Sequence, residues 1–185
     1  MSALRILGYV IVSADGMLAD ANGVMPDALK IPGYQAFFNA AMDHVDLIVH
    51  GRNSFEDQPR SPQRNRIILS SHTDAVSADP DNARATLWNP DGASFDEALG
   101  AAGVQSGTIA VIGGPSVFEM FFDRFDTFWL SQAPRVQIPN GTPAFPGVPA
   151  HSPEEILAAH GLTAGPAELI DAAHNVTVTP WQRLG

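Results

Sequence analysis

The amino-acid sequence predicts an α/β fold with a mostly parallel sheet and an antiparallel edge near its C-terminal end. Three observations lead there. Short apolar runs alternate with helix-period segments between Leu4 and Gln132, the pattern of strand–helix–strand crossovers. The first run is β-branched and almost wholly apolar, which suits a strand covered on both faces. The tail instead closes on Asn175 to Arg183, an alternating segment carrying Val176, Val178 and Trp181, which suits an antiparallel edge.

Leu4 to Val12 is the first strand. Gly33 to His44 places Tyr34, Phe37, Phe38, Ala41 and Met42 at helical spacing. Asp46 to His50 is a short buried strand stopped by Gly51, with His50 packed at its end. Arg66 to Leu69 is a second, stopped by Ser70-Ser71, and Ala83 to Trp88 a third. Ser94-Phe95-Asp96-Glu97 is a capping box, with serine capping the helix end and the glutamate reaching back; that helix ends near Gly103. Thr108 to Ile112 is a strand ending in Gly113-Gly114, and an amphipathic helix comes next through Phe118, Met120, Phe121 and Phe122. Thr127 to Gln132 is the next strand. Ser152-Pro153-Glu154-Glu155 reads as a second capping box with proline in the first turn.

Composition bounds the rest. At 185 residues and 45% hydrophobic content, one domain over 1–185 is expected, with a core that needs no staple. Gly (16) and Pro (15) punctuate the chain between short elements rather than forming a linker. Ten Lys and Arg against twenty Asp and Glu give a net charge of −10, which argues against nucleic-acid binding. The absence of cysteine excludes disulfides, thiolate catalysis and cysteine-ligated metals. The six histidines show no His-x-x-x-His pairing, so no metal site is expected. The apolar run after Arg5 ends at Ser13-Ala14-Asp15, too soon for a signal peptide or a membrane helix, so a cytoplasmic protein without a membrane partner is expected.

Open α/β sheets bind ligands at the carboxyl ends of their strands. Four segments fall there: Ser13-Ala14-Asp15-Gly16, Gly51-Arg52-Asn53-Ser54, Ser70-Ser71-His72-Thr73 and Gly113-Gly114-Pro115-Ser116. With few cations in the chain, an anionic ligand must be held largely by backbone amides and helix N-termini. Two successive glycines let a phosphate approach those amides, and Arg52 adds a fixed, forked charge. Alone, Gly-Gly is a tight turn and Arg52 a surface residue; at successive strand ends, together, they favour a phosphate site.

Gly51-Arg52-Asn53-Ser54-Phe55-Glu56, Ile67-Ile68-Leu69-Ser70-Ser71 and Val111-Ile112-Gly113-Gly114-Pro115-Ser116-Val117-Phe118-Glu119 resemble, in order and spacing, the dihydrofolate reductase family from about Leu4 to Pro146. The resemblance implies a three-layer fold, helices on both faces of the sheet, and NADPH as cofactor. Ile112, Gly113, Gly114, Pro115, Ser116 and Val117 would wrap the pyrophosphate. Gly51, Arg52, Asn53 and Ser54 would reach the phosphates, and Ser70, Ser71 and His72 the 2′-phosphate. The nicotinamide would lie between Ser13-Ala14 and Gly113-Gly114.

The substrate side departs from folate reductases. Their helix acid would fall near Gly33 or Tyr34, with Asp27 six or seven residues too early, and Pro143 stands where the family has a threonine. Val12-Ser13-Ala14-Asp15-Gly16-Met17-Leu18-Ala19 instead resembles the Ser-x-Asp-Gly opening of the riboflavin-biosynthesis reductases, the C-terminal domain of bifunctional deaminase-reductases. That branch implies reduction of the ribose of 5-amino-6-(5-phosphoribosylamino)uracil or a related small molecule. It also implies a homodimer through Thr127 to Ala133, whose Phe128, Trp129 and Leu130 are more than an edge strand should expose. A folate reductase with an altered substrate site and a non-catalytic nucleotide-binding protein are the alternatives. Asp15, Asp27 or an ordered water could supply the proton, and Asp15, Lys30 and Tyr34 are candidate substrate contacts. Against this, Asp15 before Gly16 also reads as a turn residue, and Asp27 and Lys30 as solvated surface.

Overall fold

The computed structural model describes residues 3–52 and 60–185. The chain runs β1 (Leu4–Ser13), β2 (Met17–Ala19), α1 (Pro32–Met42), β3 (Leu47–Gly51), β4 (Arg66–Leu69), β5 (Val76–Asp79), β6 (Asn82–Trp88), α2 (Phe95–Ala102) and β7 (Gly107–Val111). It continues α3 (Pro115–Phe121), β8 (Thr127–Ala133), β9 (Thr142–Pro143), α4 (Pro153–Ala159), β10 (Leu162–Ala164), β11 (Glu168–Asp171) and β12 (Val176–Arg183). Ten strands form one sheet in the order β10-β12-β8-β1-β7-β3-β4-β6-β5, with β11 also paired to β12; β2 and β9 form a separate pair.

The six strands from β8 to β6 run parallel, as the apolar runs imply. β12 pairs antiparallel to β8, giving the expected C-terminal edge. A second antiparallel edge, β5 on β6, was not expected: Val76–Asp79 is half-exposed and carries no apolar run to announce it.

Alternation along the central strands assigns the two faces. Leu7 and Tyr9 of β1, Ile48 of β3 and Ala110 of β7 meet Met42, Phe37 and Phe38 of α1. Their alternates, Ile6, Val10, Val49, Ile109 and Val111, join the larger cluster with Ala98 and Leu99 of α2 and Val117, Phe118 and Phe121 of α3. At its centre Phe118, Phe128 and Phe145 meet edge to face at 5.3–5.6 Å. Fully burying each such ring contributes about 1.5–3 kcal/mol, so this cluster ties α3 and the loop after β9 to the sheet where β8 pairs with the middle of β1.

Two expectations are corrected here. β8 is interior, between β1 and β12, and Phe128 and Leu130 are fully buried while Trp129 packs on Phe37. The strand offered as an exposed edge for a homodimer is thus flanked on both sides, and of its three apolar residues Trp129 alone stays half-exposed. The second capping box is only half made. Ser152 Oγ accepts from Glu155 N–H, but the glutamate carboxylate lies 3.3 Å from His151 Nδ1. The first box is complete, and Gly103 ends α2 with φ +75°.

Among the described residues no helix is long and apolar enough to cross a membrane, and no group of His, Asp or Glu is arranged to hold a metal ion.

Candidate functional site

The carboxyl ends of β1, β7 and β3 stand side by side in the sheet, and α1 packs along one face of them. The space between is a cleft of about 700 Å³. One wall is Gly51, Arg52 and Ile112 through Val117. The other is Tyr9, Val10 and Ile11 of β1 with Tyr34, Gln35, Phe38 and Asn39 of α1, closed above by Leu18, Ala19, Met25 and Thr142.

Strand register builds the first wall. Ile112 N–H donates to Val49 O at 3.1 Å and Gly51 N–H to Gly113 O at 2.8 Å, so the turn after β7 is tied to the end of β3. Gly113 has φ +118°, which only glycine adopts readily, and the Gly113–Gly114 peptide is cis. Because Gly51 pairs with Leu69, Arg52 comes level with Ser70; its Nη2 lies 3.5 Å from Ser70 Oγ, which also accepts from His72 N–H at 3.1 Å. The fold thus brings Arg52 and the Ser70-Ser71-His72 loop together at the rim. Ser71 and His72 are exposed and lie beyond the cleft lining. Asn53 and Ser54 lie outside the described residues.

The first strand's end serves a different purpose. Ser13 is buried, and its hydroxyl donates to Asp15 Oδ1 while accepting from Met17 N–H at 3.0 Å. The Asp15 carboxylate also accepts from Ile138 N–H at 3.0 and 3.2 Å. Partial burial pulls the Asp15 carboxyl up, but the donors from Ser13, Ile138 and its own N–H outweigh that and hold it below its ordinary value. Gly16 completes the turn at φ +83°, where an added Cβ would meet Val148. Ser13-Ala14-Asp15-Gly16 is therefore a clamp between β1 and the segment after β8. It does not line the cleft, so Asp15 is placed as a turn lock rather than at the expected substrate contact.

Asp27 and Lys30 form an exposed ion pair at 3.2 Å, outside the cleft lining, with the Asp27 side chain 98% exposed. Tyr34 alone of the expected substrate contacts faces the cleft.

Sequence reasoning passed over Tyr9, Gln35, Phe38, Asn39 and Thr142. The spacing held a signal for some: Tyr34 with Phe38, and Gln35 with Asn39, are i,i+4 pairs that put an aromatic and an amide strip side by side on α1. Burial pushes the Tyr9 phenol up to about 12, with Arg5 partly opposing. Burial raises Tyr34 as well, and Tyr9 adds to it. Thr142 stands one residue before Pro143, and its hydroxyl donates to Asp20 O at 2.6 Å, closing the cleft's upper edge.

No family model matches this chain, and no curated protein matches it in sequence. Solved structures do. A protein from Shewanella sp. PV-4, provisionally assigned to riboflavin biosynthesis, aligns over 98% of this chain and 99% of its own, with 23% identity and a TM-score of 0.66. Dihydrofolate reductase from Enterococcus faecalis, complexed with NADP(H) and RAB-propyl, aligns over 98% and 97%, with 17% identity and a TM-score of 0.64. The fold is that of dihydrofolate reductase. Near-complete coverage in both directions means that the dihydrofolate reductase fold accounts for the chain from β1 through the antiparallel β12 edge, including the strand ends that form the cleft.

Proposed function

We propose that the protein is an NADPH-dependent reductase of the riboflavin-biosynthesis type, reducing a pyrimidine–ribose compound such as 5-amino-6-(5-phosphoribosylamino)uracil. The observation that carries this reading is a single cleft joining a glycine–arginine wall to an aromatic and amide wall at the strand ends. Its 700 Å³ falls in the range of cofactor and substrate sites.

The residues fit a dinucleotide. Gly113 and Gly114 present backbone without side chains, Ser116 adds a hydroxyl at the wall, and Arg52 supplies a fixed cation at the rim. Ile112 to Val117 with Gly51 and Arg52 would hold the pyrophosphate, and Ser70, Ser71 and His72 beside Arg52 the 2′-phosphate. Bound there, the cofactor supplies a hydride. The chain's own part is to orient the two ligands and to serve the acceptor's nitrogen.

Folate reduction is the weaker reading because no carboxylate lines the cleft among the described residues. Gln35 and Asn39 are the polar groups that α1 presents, and a neutral amide cannot protonate a pterin ring. Reducing the ring-opened ribosylamine asks for a proton at the C1′=N nitrogen, which water or a phenol can give. NADPH oxidation with the ribosylamino-pyrimidine and with dihydrofolate tests this. Turnover is expected with the first; a dihydrofolate turnover above about 1 s⁻¹, within the ordinary enzyme range, would contradict the assignment.

A further inference from the structure

The chain has two tyrosines, and both line this one cleft. Tyr9 projects from the middle of β1 and is 6% exposed; Tyr34 projects from the first turn of α1 and is 7% exposed. Phe37 and Phe38 fix both rings. Tyr34 stacks on Phe38 at 5.9 Å, and Tyr9 meets Phe37 and Phe38 at 6.2 and 6.4 Å. Neither hydroxyl has a hydrogen-bond partner among the described residues, yet neither is sealed from solvent, so each opens on the cleft. Buried phenols normally find a partner. Two on one cleft, both without one, mark the place of a ligand acceptor.

We infer that Tyr9 and Tyr34 form a paired phenol site for the heteroatom of the substrate's reducible double bond, one of them giving that atom its proton as the carbon is reduced. This rests on the ribose-reduction reading above. In the ring-opened ribosylamine that bond is C1′=N, because C1′ carries the pyrimidine's amine. C1′ gains a hydride from the reduced nicotinamide nucleotide while the C=N π pair moves onto nitrogen. The nitrogen takes a phenol proton, giving CH2–NH and an oxidised nicotinamide, and the phenolate is reprotonated by water of the open cleft. Burial keeps both phenols protonated at neutral pH, as donors must be. The other ionisable lining group among the described residues, Arg52, sits on the opposite wall at the rim.

Tyr9→Phe and Tyr34→Phe keep the rings and remove only the hydroxyls. With NADPH and the ribosylamino-pyrimidine, kcat is expected to fall about 10²-fold or more in each, within the usual range for a general acid, with the NADPH Kd unchanged. A second readout is independent of turnover. In protein carrying ring-labelled [Cζ-¹³C]tyrosine, two signals report the cleft alone. Ribonolactone 5-phosphate, which holds an sp² carbon and an acceptor oxygen at the same position, should shift both in the NADP⁺ complex, and each variant should delete one. Absence of any shift overturns the pairing, as do variants that keep kcat within about threefold of a parent that turns over. If the parent shows the shifts but does not reduce the pyrimidine, the assigned substrate fails and the donor pair stands.

Discussion

His50 shows one side chain held in one protonation state by its two neighbours. It is fully buried at the end of β3, with Nδ1 2.6 Å from Gly51 O and Nε2 3.3 Å from Arg66 Nη1. A carbonyl can only accept and a guanidinium only donate, so Nδ1 carries the proton and Nε2 is bare. Burial, with Arg66 adding, pushes the imidazole down to about 4, although the Gly51 carbonyl pulls the other way. As pH falls from 6.5, the unfolded chain takes up a proton that the folded protein refuses until about 4. Stability is therefore full above 6.5 and declines across that window, by on the order of 3 kcal/mol. Urea midpoints between pH 4 and 8 should show this acid limb in the parent and a flatter one in His50→Gln, which keeps an acceptor for Arg66. An unchanged limb in the variant would assign the acid sensitivity elsewhere.

At the scale of elements, β1 is the strand around which the site is built, and Gly8 sets its spacing. Gly8 pairs with Phe128 of β8, and a Cβ there would run into the Phe128 ring and touch Phe125. Gly8→Ala is expected to cost about 1–3 kcal/mol by overpacking, read as a lower denaturation midpoint at unchanged slope. No loss of stability would mean the ring can move aside. The sequence made β1, β3, β4, β7 and β8 legible because parallel strands buried on both faces are written as apolar runs. α2 was legible because its caps are local chemistry. β5, β10 and β11 were not, since edge strands of three or four mostly exposed residues carry no periodic signal. The same division runs through the site. Gly113-Gly114 and Arg52 were legible from their places directly after apolar runs, whereas Tyr9, Gln35 and Thr142 become neighbours only when β1, α1 and β9 are assembled. Asp15 stayed open between a turn and a substrate contact because Ser-x-Asp-Gly looks the same whether its carboxylate serves a ligand or the Ile138 amide.

Over the whole molecule, the C-terminal strands brace the layer that carries the site. Arg183 at the end of β12 donates to the carbonyls of Phe125, His160 and Phe122, tying the sheet edge to the ends of α3 and α4. Asp171 of β11 accepts from Gly33 N–H at 2.9 Å, one residue before Tyr34, and from His174, whose bond is the main reason its carboxyl lies below the ordinary value. Asp171→Ala frees the first turn of α1, so KM for the pyrimidine should rise several-fold while NADPH affinity holds; a loss confined to NADPH would mean α1 serves the other wall. Calorimetric titration of NADPH against Gly114→Asp tests the glycine–arginine wall. Gly114 has φ −82°, open to any residue, so the variant is expected to fold, as circular dichroism would verify. A carboxylate about 4 Å from a phosphate costs on the order of 4 kcal/mol at an effective dielectric of about 20, roughly a thousandfold in affinity. The parent is expected to bind NADPH and the folded variant to have lost binding by about that factor. A folded variant that binds NADPH as the parent does would contradict the placement of the cofactor at Gly113-Gly114.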